Sequence, residues 1–314
     1  MPSTIVIALG GNALQQNGEA SAKAQERVAT LTASHLVPLI RAGNRIVIVH
    51  GNGPQVGNIV LHEEAINTPE VPSLPLDSSV AMSQGLIGYW LQQALTNELR
   101  KSGVDAPVAT VVTCVLVDSQ DPAFSDPSKP IGPFYATESE ARDAAATRGF
   151  IVKEDAGRGW RRVVPSPRPS RIIEINTIHQ LLQAGTVVIA AGGGGVPVTE
   201  TDNTYEGVEA VVDKDFSAAV LADAVDADSL QILTTVDEAM IHYGTPKEEA
   251  IGDVTTEKMQ QYVADHQFAP GSMLPKVEAA LQFIKGNENR RANITSIKYA
   301  VEAIKGQKGT IIHE

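Results

Sequence analysis

The chain has 314 residues, with 25 basic and 37 acidic side chains and a formal net charge of −12. Hydrophobic residues make up 43% and aromatics only 4%, which suits a core of Val, Ile, Leu and Ala, as in a parallel sheet covered by helices. So acidic a chain argues against nucleic-acid binding through its overall field, and any anion must be held by local lysines, arginines and backbone N–H groups.

The single cysteine, Cys114, rules out an internal disulfide and a cysteine-based zinc site, and reads as a buried, inert thiol. The first residues, MPSTIVIALGG, lack the basic stretch and long apolar core of a signal peptide. No apolar run approaches the roughly 20 residues of a membrane span. The expectation is a reduced, cytoplasmic protein with no membrane or nucleic-acid partner.

In chain order, residues 4–9 form a buried run that ends in Gly10, Gly11 and Asn12. Residues 21–41 read as a helix, with Val28, Leu31, Leu36, Leu39 and Ile40 on or near one face, closed by Gly43. Residues 46–49 are a second buried run, which stops at His50. Gly51, Asn52, Gly53 and Pro54 follow, and a helix opens from Gln55 with Pro54 in its first turn. At such a strand–glycine turn–helix junction the N–H groups and the helix dipole favour anions.

Residues 76–101 have helical spacing, and 107–117 read as one buried strand. From 118 to 135 proline and turn residues are too dense for a core helix or strand. Residues 137–148 form a short helix, with Thr137 and Glu140 spaced as a capping box. The stretch GRGWRRVVPSPRPSR then interrupts again. Between 153 and 171, six basic side chains against two acidic ones leave a local charge of +4. Residues 118–170 are read as a protruding subdomain or lid.

The α/β rhythm then resumes. A helix at 175–184 leads to a third buried run at 187–191, ended by Gly192 to Gly195. Asp213, Lys214 and Asp215 open a helix, and 230–235 is a strand. A helix at 256–266, a turn at 270–273, a helix at 276–285 and strands at 294–297 and 310–312 complete the chain. Three apolar strands thus break into glycine at their C-terminal ends. In open parallel sheets ligands bind outside those ends, so the three turns suggest a large phosphorylated ligand across one rim.

Common nucleotide motifs are missing. There is no GxxxxGK[ST] loop and no HRD or DFG set. The glycines from Gly51 to Gly57 have one residue too many for GxGxxG. Lys214 and Lys276 instead stand at helix starts, where a cation is unfavourable for the helix itself and so points to another purpose, such as binding phosphate. Lys129 lies inside the proline-rich excursion. Phosphoryl transfer needs cations around the transferred group and little covalent chemistry. Asp213 and Asp215 could orient the lysines or hold Mg²⁺. His50 reads as a structural strand-end residue, and Ser83 and Ser272 lack the surroundings of a hydrolase nucleophile.

Seven segments together resemble the carbamate kinases of the amino acid kinase family: VIALGGNAL (6–14), HGNGPQVG (50–57), AMSQGLIGY (81–89), SKPIGPFY (128–135), EDAGRGWRRVVPSPRP (154–169), VDKDFSAA (212–219) and PGSMLPKVEAA (270–280). The resemblance implies an α/β fold: a three-layer αβα sandwich with a mainly parallel central sheet. It implies one domain over 1–314, with the small protruding subdomain at 118–170 inserted in it. It further implies a homodimer and reversible phosphoryl transfer between ATP and carbamate, with ADP and carbamoyl phosphate as the opposite pair, in fermentative arginine catabolism. Backbone N–H groups of Gly10, Gly11, Gly51 and Gly53 and the side chains of Asn12 and Asn52 would meet phosphate. Lys129, Lys214 and Lys276 would neutralise charge, and Asp215 would position lysines. Asp213, Lys214, Met273 and Lys276 would serve the nucleotide, whose phosphates Mg²⁺ bridges. Carbamate is already an anion, so no general base is implied.

Relatives such as acetylglutamate kinase carry a lysine two positions before the first glycine pair, where this chain has Ala8. In carbamate kinases the lysine matching Lys129 supplies the missing cation. Leu274 stands where many members of the family have glycine, which bears on local turn geometry. The alternatives are a sibling kinase for another small carboxylate or phosphonate, and a nucleotide-binding regulatory protein without turnover. A mere binder has no need of all three lysines.

Overall fold

The computed structural model describes residues 2–10, 19, 21–155 and 159–314. Its first elements are β1 (Thr4–Leu9), α1 (Ala22–Arg41), β2 (Arg45–His50), α2 (Gly53–Ala65), α3 (Leu76–Lys101), β3 (Val108–Thr110) and β4 (Cys114–Val117). The middle of the chain gives β5 (Lys129–Tyr135), α4 (Glu138–Arg148), β6 (Ile151–Glu154), β7 (Trp160–Val164), β8 (Pro169–Ile172), α5 (Ile175–Gln183), β9 (Val187–Ile189), β10 (Val196–Thr201) and β11 (Thr204–Gly207). Then follow α6 (Lys214–Ala224), β12 (Ser229–Thr234), β13 (Met240–Ile241), β14 (Glu249–Ala250), β15 (Asp253–Thr255), α7 (Thr256–Ala264), α8 (Leu274–Ile284), β16 (Arg291–Ser296), α9 (Ala300–Ile304) and β17 (Thr310–His313).

The apolar runs build the main sheet, in the order β15-β17-β16-β12-β1-β2-β9-β3. From β16 to β3 neighbouring strands are parallel, and β17 turns antiparallel against β16. Successive side chains point to opposite faces, so each run feeds two cores. Ile5, Ile7, Leu9, Ile46 and Ile48 pack with Leu36 of α1, Leu91 and Leu95 of α3 and Ala300 of α9. Val6, Ala8, Val47 and Val49 face the other way, toward Ile178 of α5, Leu221 of α6 and Phe283 of α8. Helices on both faces of a mainly parallel sheet make the expected three-layer sandwich. Among the described residues no helix is long and apolar enough to cross a membrane.

Residues 107–117 are not one strand. β3 is an edge of the main sheet, whereas β4 joins a second sheet ordered β11-β10-β4-β8. The break comes at Thr113, where the buried side-chain amide of Gln84 takes the place of a neighbouring strand. The Thr113 N–H donates to Gln84 Oε1 at 2.9 Å, and Gln84 Nε2 donates to the Thr113 carbonyl at 2.9 Å. The β10–β11 hairpin was not anticipated. It turns on Asp202 and Asn203, whose positive φ values of 51° and 60° suit a two-residue turn.

The excursion also holds more regular structure than its prolines suggest. β5, β7 and β6 form a three-stranded antiparallel sheet, with α4 packed on it. The capping box is present: Glu140 N–H donates to Thr137 Oγ1 at 3.3 Å, and Thr137 N–H to Glu140 Oε2 at 3.2 Å. Pro130 and Pro133 sit in β5, which is an edge strand, where a missing N–H does least harm. Likewise 160–164, expected as an interruption, is strand β7. The small sheet spans 129–164, while β8 has already returned to the second sheet beside β4.

The rim where β9 ends is tightly packed. Gly194 has φ +93°, and a Cβ there would lie 2.2 Å from the Val212 carbonyl oxygen, just before α6. Gly194→Ala should therefore lower the unfolding free energy by about 1–3 kcal/mol from backbone strain alone, measured by urea denaturation. Unchanged stability would show that the rim can relax around a side chain.

Candidate active site

Because β1, β2 and β9 are parallel neighbours, Gly10, Gly51 and Gly192, which follow them, lie on one rim. Two of the glycines act differently from expectation. The Gly10 N–H donates to the Leu233 carbonyl at 2.8 Å and the Gly51 N–H to the Leu9 carbonyl at 3.2 Å. Both extend the strand ladder, so those N–H groups are not available to a phosphate. Gly51 instead leaves room for a neighbour: a Cβ there would sit 3.2 Å from Lys214 Cδ. Gly53 is the first residue of α2, where an N–H has no acceptor inside the helix. Gly11 and Asn12 lie outside the described residues.

Asn52 immediately precedes α2 and is buried; its Nδ2 donates to Ser83 Oγ at 2.8 Å, and Ser83 Oγ donates to the Val80 carbonyl at 2.6 Å. Gly193, with φ +66°, lets the chain after β9 pass the Asn52 amide, since a Cβ would lie 2.2 Å from Nδ2. His50 is structural, as expected. Burial pushes its pKa down to about 4, and its Nδ1 lies 3.0 Å from the Gly51 carbonyl oxygen. The Cys114 thiol, half-buried, is pushed up to about 11 by burial and by the nearby Glu174, which fits an inert thiol.

Three lysines meet two aspartates beside this turn. Asp213 is the N-cap of α6, and its Oδ1 accepts the Asp215 N–H at 2.9 Å. Its Oδ2 accepts from Lys129, the first residue of β5. Asp215 receives Lys214 on Oδ1 at 2.7 Å and Lys276 on Oδ2 at 3.0 Å. The Asp215 side chain is 2% exposed. With all five groups ionised, the cluster carries one net positive charge. Lys214 opens α6 and Lys276 sits in the first turn of α8, so both helix starts face the rim.

Burial alone would raise both carboxyls, but the lysine charges outweigh it and hold them well below the usual carboxylate range. Burial lowers Lys214, and Lys276 adds to that against the pull of Asp215, so its pKa falls below the ordinary lysine value. For Lys276 burial is overcome by Asp215, and its pKa is raised. All four oxygens of Asp213 and Asp215 are engaged, so these residues orient lysines and are poorly placed as Mg²⁺ ligands. Among the described residues no three His, Cys, Asp or Glu side chains are grouped to hold a metal ion.

The cluster lines a cavity of about 210 Å³ together with Asn52, Gly53 and Pro54. A second cavity, of about 520 Å³, is lined by Val236, Met240, Tyr243, Phe268 and Met273 among others. The 270–273 turn lies between the two, and Ser272 lines both. The structure thus brings Lys129, Lys214, Lys276, Asp213, Asp215, Asn52 and Gly53 together, with Met273 next door. The supporting pair Ser83–Gln84 was not recognised in the sequence. Its one signal was two polar residues on an otherwise apolar stretch of helix.

The model of the amino acid kinase family matches residues 3–296. Carbamate kinase 1 of Enterococcus faecium is 51% identical over 95% of this chain and 94% of its own length. The carbamate kinase of Pyrococcus horikoshii is 50% identical over 99% of both. Among solved structures, a carbamate kinase from Giardia lamblia bound to citric acid superposes with a TM-score of 0.93 at 40% identity, covering 99% of this chain and 98% of that one. Another from the same organism, bound to AMP-PNP, gives 0.90 at 41% identity over the same shares.

An ammonium group grips an anion in its protonated form. The depressed pKa of Lys214 should make pyrophosphate binding fall away at a pH below the ordinary lysine value of about 10.4. Asp215 raises that pKa, so Asp215→Asn should move the midpoint to still lower pH. Calorimetric titration across pH checks both. A midpoint that stays put or rises in the variant would contradict this charge arrangement.

Proposed function

The chain belongs to the amino acid kinase family, and we infer that its reaction is that of the carbamate kinases: ADP and carbamoyl phosphate give ATP and carbamate. The observation that carries this reading is the convergence of Lys129, Lys214 and Lys276 on two aspartates beside the rim. A terminal phosphate oxygen of ADP attacks the phosphorus of carbamoyl phosphate. The P–O bond to the carbamoyl group breaks, and its electron pair leaves with carbamate. Attacking and leaving groups are both oxyanions, so no proton moves and no general base is needed. This suits a site whose nearest histidine, His50, is buried and neutral.

In this reading the cations stabilise charge spread over the transferred group, the main demand of phosphoryl transfer. Lys214 and Lys276, at the starts of α6 and α8, serve the nucleotide phosphates, and Asp215 orients both. Lys129 serves the transferred phosphoryl group. Gly53 and the first turn of α2 offer N–H groups, Asn52 its side chain, and Gly10 and Gly51 the room for close approach. Mg²⁺ would arrive with the nucleotide rather than on Asp213 or Asp215, and it would supply further positive charge to the phosphates. The nucleoside end is assigned to the larger cavity beside Met273, which opens next to the lysine cluster across the 270–273 turn.

Residues 118–170 act as a lid in this account. The lid keeps water from carbamoyl phosphate, whose hydrolysis competes with transfer. A homodimer is favoured by α3, where Met82, Leu86 and Tyr89 recur on one exposed stripe. We place the enzyme in the cytoplasm and in fermentative arginine catabolism, the setting its resemblance implies.

Purified protein should form ATP from ADP, Mg²⁺ and carbamoyl phosphate and run as a dimer in light scattering. Faster turnover of another acyl phosphate would replace the substrate, and a monomer would remove the dimer. Lys214→Ala and Lys276→Ala should each lower kcat/KM about ten- to a hundredfold, since a charge-assisted contact contributes about 1.5–3 kcal/mol. Near wild-type kinetics in either would contradict its placement.

A further inference from the structure

We propose that Glu64 of α2 and Arg162 of β7 form a clasp that positions Lys129 over the transferred phosphoryl group. The pair is remote from the rim and has no part in the chemistry described above. Arg162 Nη1 donates to Glu64 Oε1 at 2.6 Å, and Arg148 Nη1 of α4 stands 3.7 Å from Oε2. The Arg162 guanidinium also lies 5.0 Å from the centre of the Phe150 ring. Two elements of the small sheet and its helix therefore converge on one carboxylate of the main body.

The connection from this clasp to Lys129 is short and stiff. Arg162 pairs across the sheet with Ile131, two residues along β5 from Lys129. Ile131 is buried with Val56 and Val60 of α2 and Val80 of α3. Gly132 meets Gly57 of α2 so closely that a Cβ on Gly57 would fall 2.1 Å from the Gly132 Cα. The same α2 begins at the glycine turn of the site, at Gly53. One helix thus carries a phosphate-facing turn at its first residues, seats β5 along its middle, and holds the clasp in its last turn. The lid is registered to the rim through α2.

The clasp is an uneconomical way to gain stability. Glu64 Oε2 and Arg162 Nε are buried without a hydrogen-bond partner. The Arg162 and Glu64 side chains keep 22% and 25% of their exposure, and an ion pair in such contact with water adds little to folding free energy. Local departures of this kind are expected where a site constrains the structure. Both side chains line a cavity of about 340 Å³, together with Glu63, Leu74 and Glu209.

The proposal rests on Lys129 acting on the transferred group, and its test separates the two claims by epistasis. Glu64→Gln keeps the shape and removes the charge. It should lower kcat about ten- to a hundredfold, the loss that misplacing a catalytic group by an ångström brings. The KM for ADP and the melting temperature should stay near wild type. In a Lys129→Ala background the same change should cost about twofold or less, because the group it positions is gone. Arg162→Met should repeat this pattern and Arg162→Lys should recover part of the rate. An equal loss from Glu64→Gln in both backgrounds, or no loss in either, overturns the clasp while leaving the lysine reading intact. A Lys129→Ala enzyme with wild-type rate overturns that reading and the clasp with it.

Discussion

Two carboxylates at the start of α6 hold three ammonium groups in a site largely withdrawn from water, and most of the architecture can be traced to that arrangement. Like charges so close repel strongly when water is excluded. Asp213 and Asp215 make the cluster tolerable, and their depressed pKa values express the same balance seen from the acid side. The lysines come from three separate places: the edge strand of the small sheet, and the first turns of two helices packed against one face of the main sheet. Bringing them together requires the parallel sheet to end its central strands on one rim. It also requires glycine where the backbone and the Lys214 stem pass closely.

The helix α2 links the small sheet to that rim. The apolar contacts of Ile131 with Val56 and Val60, and the close approach of Gly57 to Gly132, tie β5 to the main body. Lys129 is the first residue of the strand so tied. Lys129 thus reaches the cluster from a separate sheet. Ala8 itself is buried among the residues that pack toward α6 and α8.

Much of this could be read from the sequence because its causes are local. Continuous β-branched runs ending in glycine gave the central strands and their common rim. Asp213 and Thr137 announced helix starts through capping, and the placement of Lys214 and Lys276 against the helix dipole pointed to phosphate. What escaped depends on partners distant in the chain. The strand expected at 107–117 breaks because Gln84 reaches Thr113 from another helix. The N–H groups of Gly10 and Gly51 are taken by carbonyls of adjacent strands, which no local pattern reveals. Prolines in β5 masked an edge strand. Glu64 and Arg162 are 98 positions apart, and each alone reads as a surface charge.

The division of labour among the lysines is the central claim. It is tested most directly by measuring ADP binding calorimetrically and the single-turnover rate for Lys129→Ala beside Lys276→Ala. The account predicts that Lys129→Ala binds ADP within about twofold of wild type yet transfers the phosphoryl group at least about tenfold more slowly. Lys276→Ala, in contrast, should lose ADP affinity by about tenfold or more. If ADP binding collapses in Lys129→Ala while its rate at saturation is normal, Lys129 is a nucleotide contact and the account is contradicted.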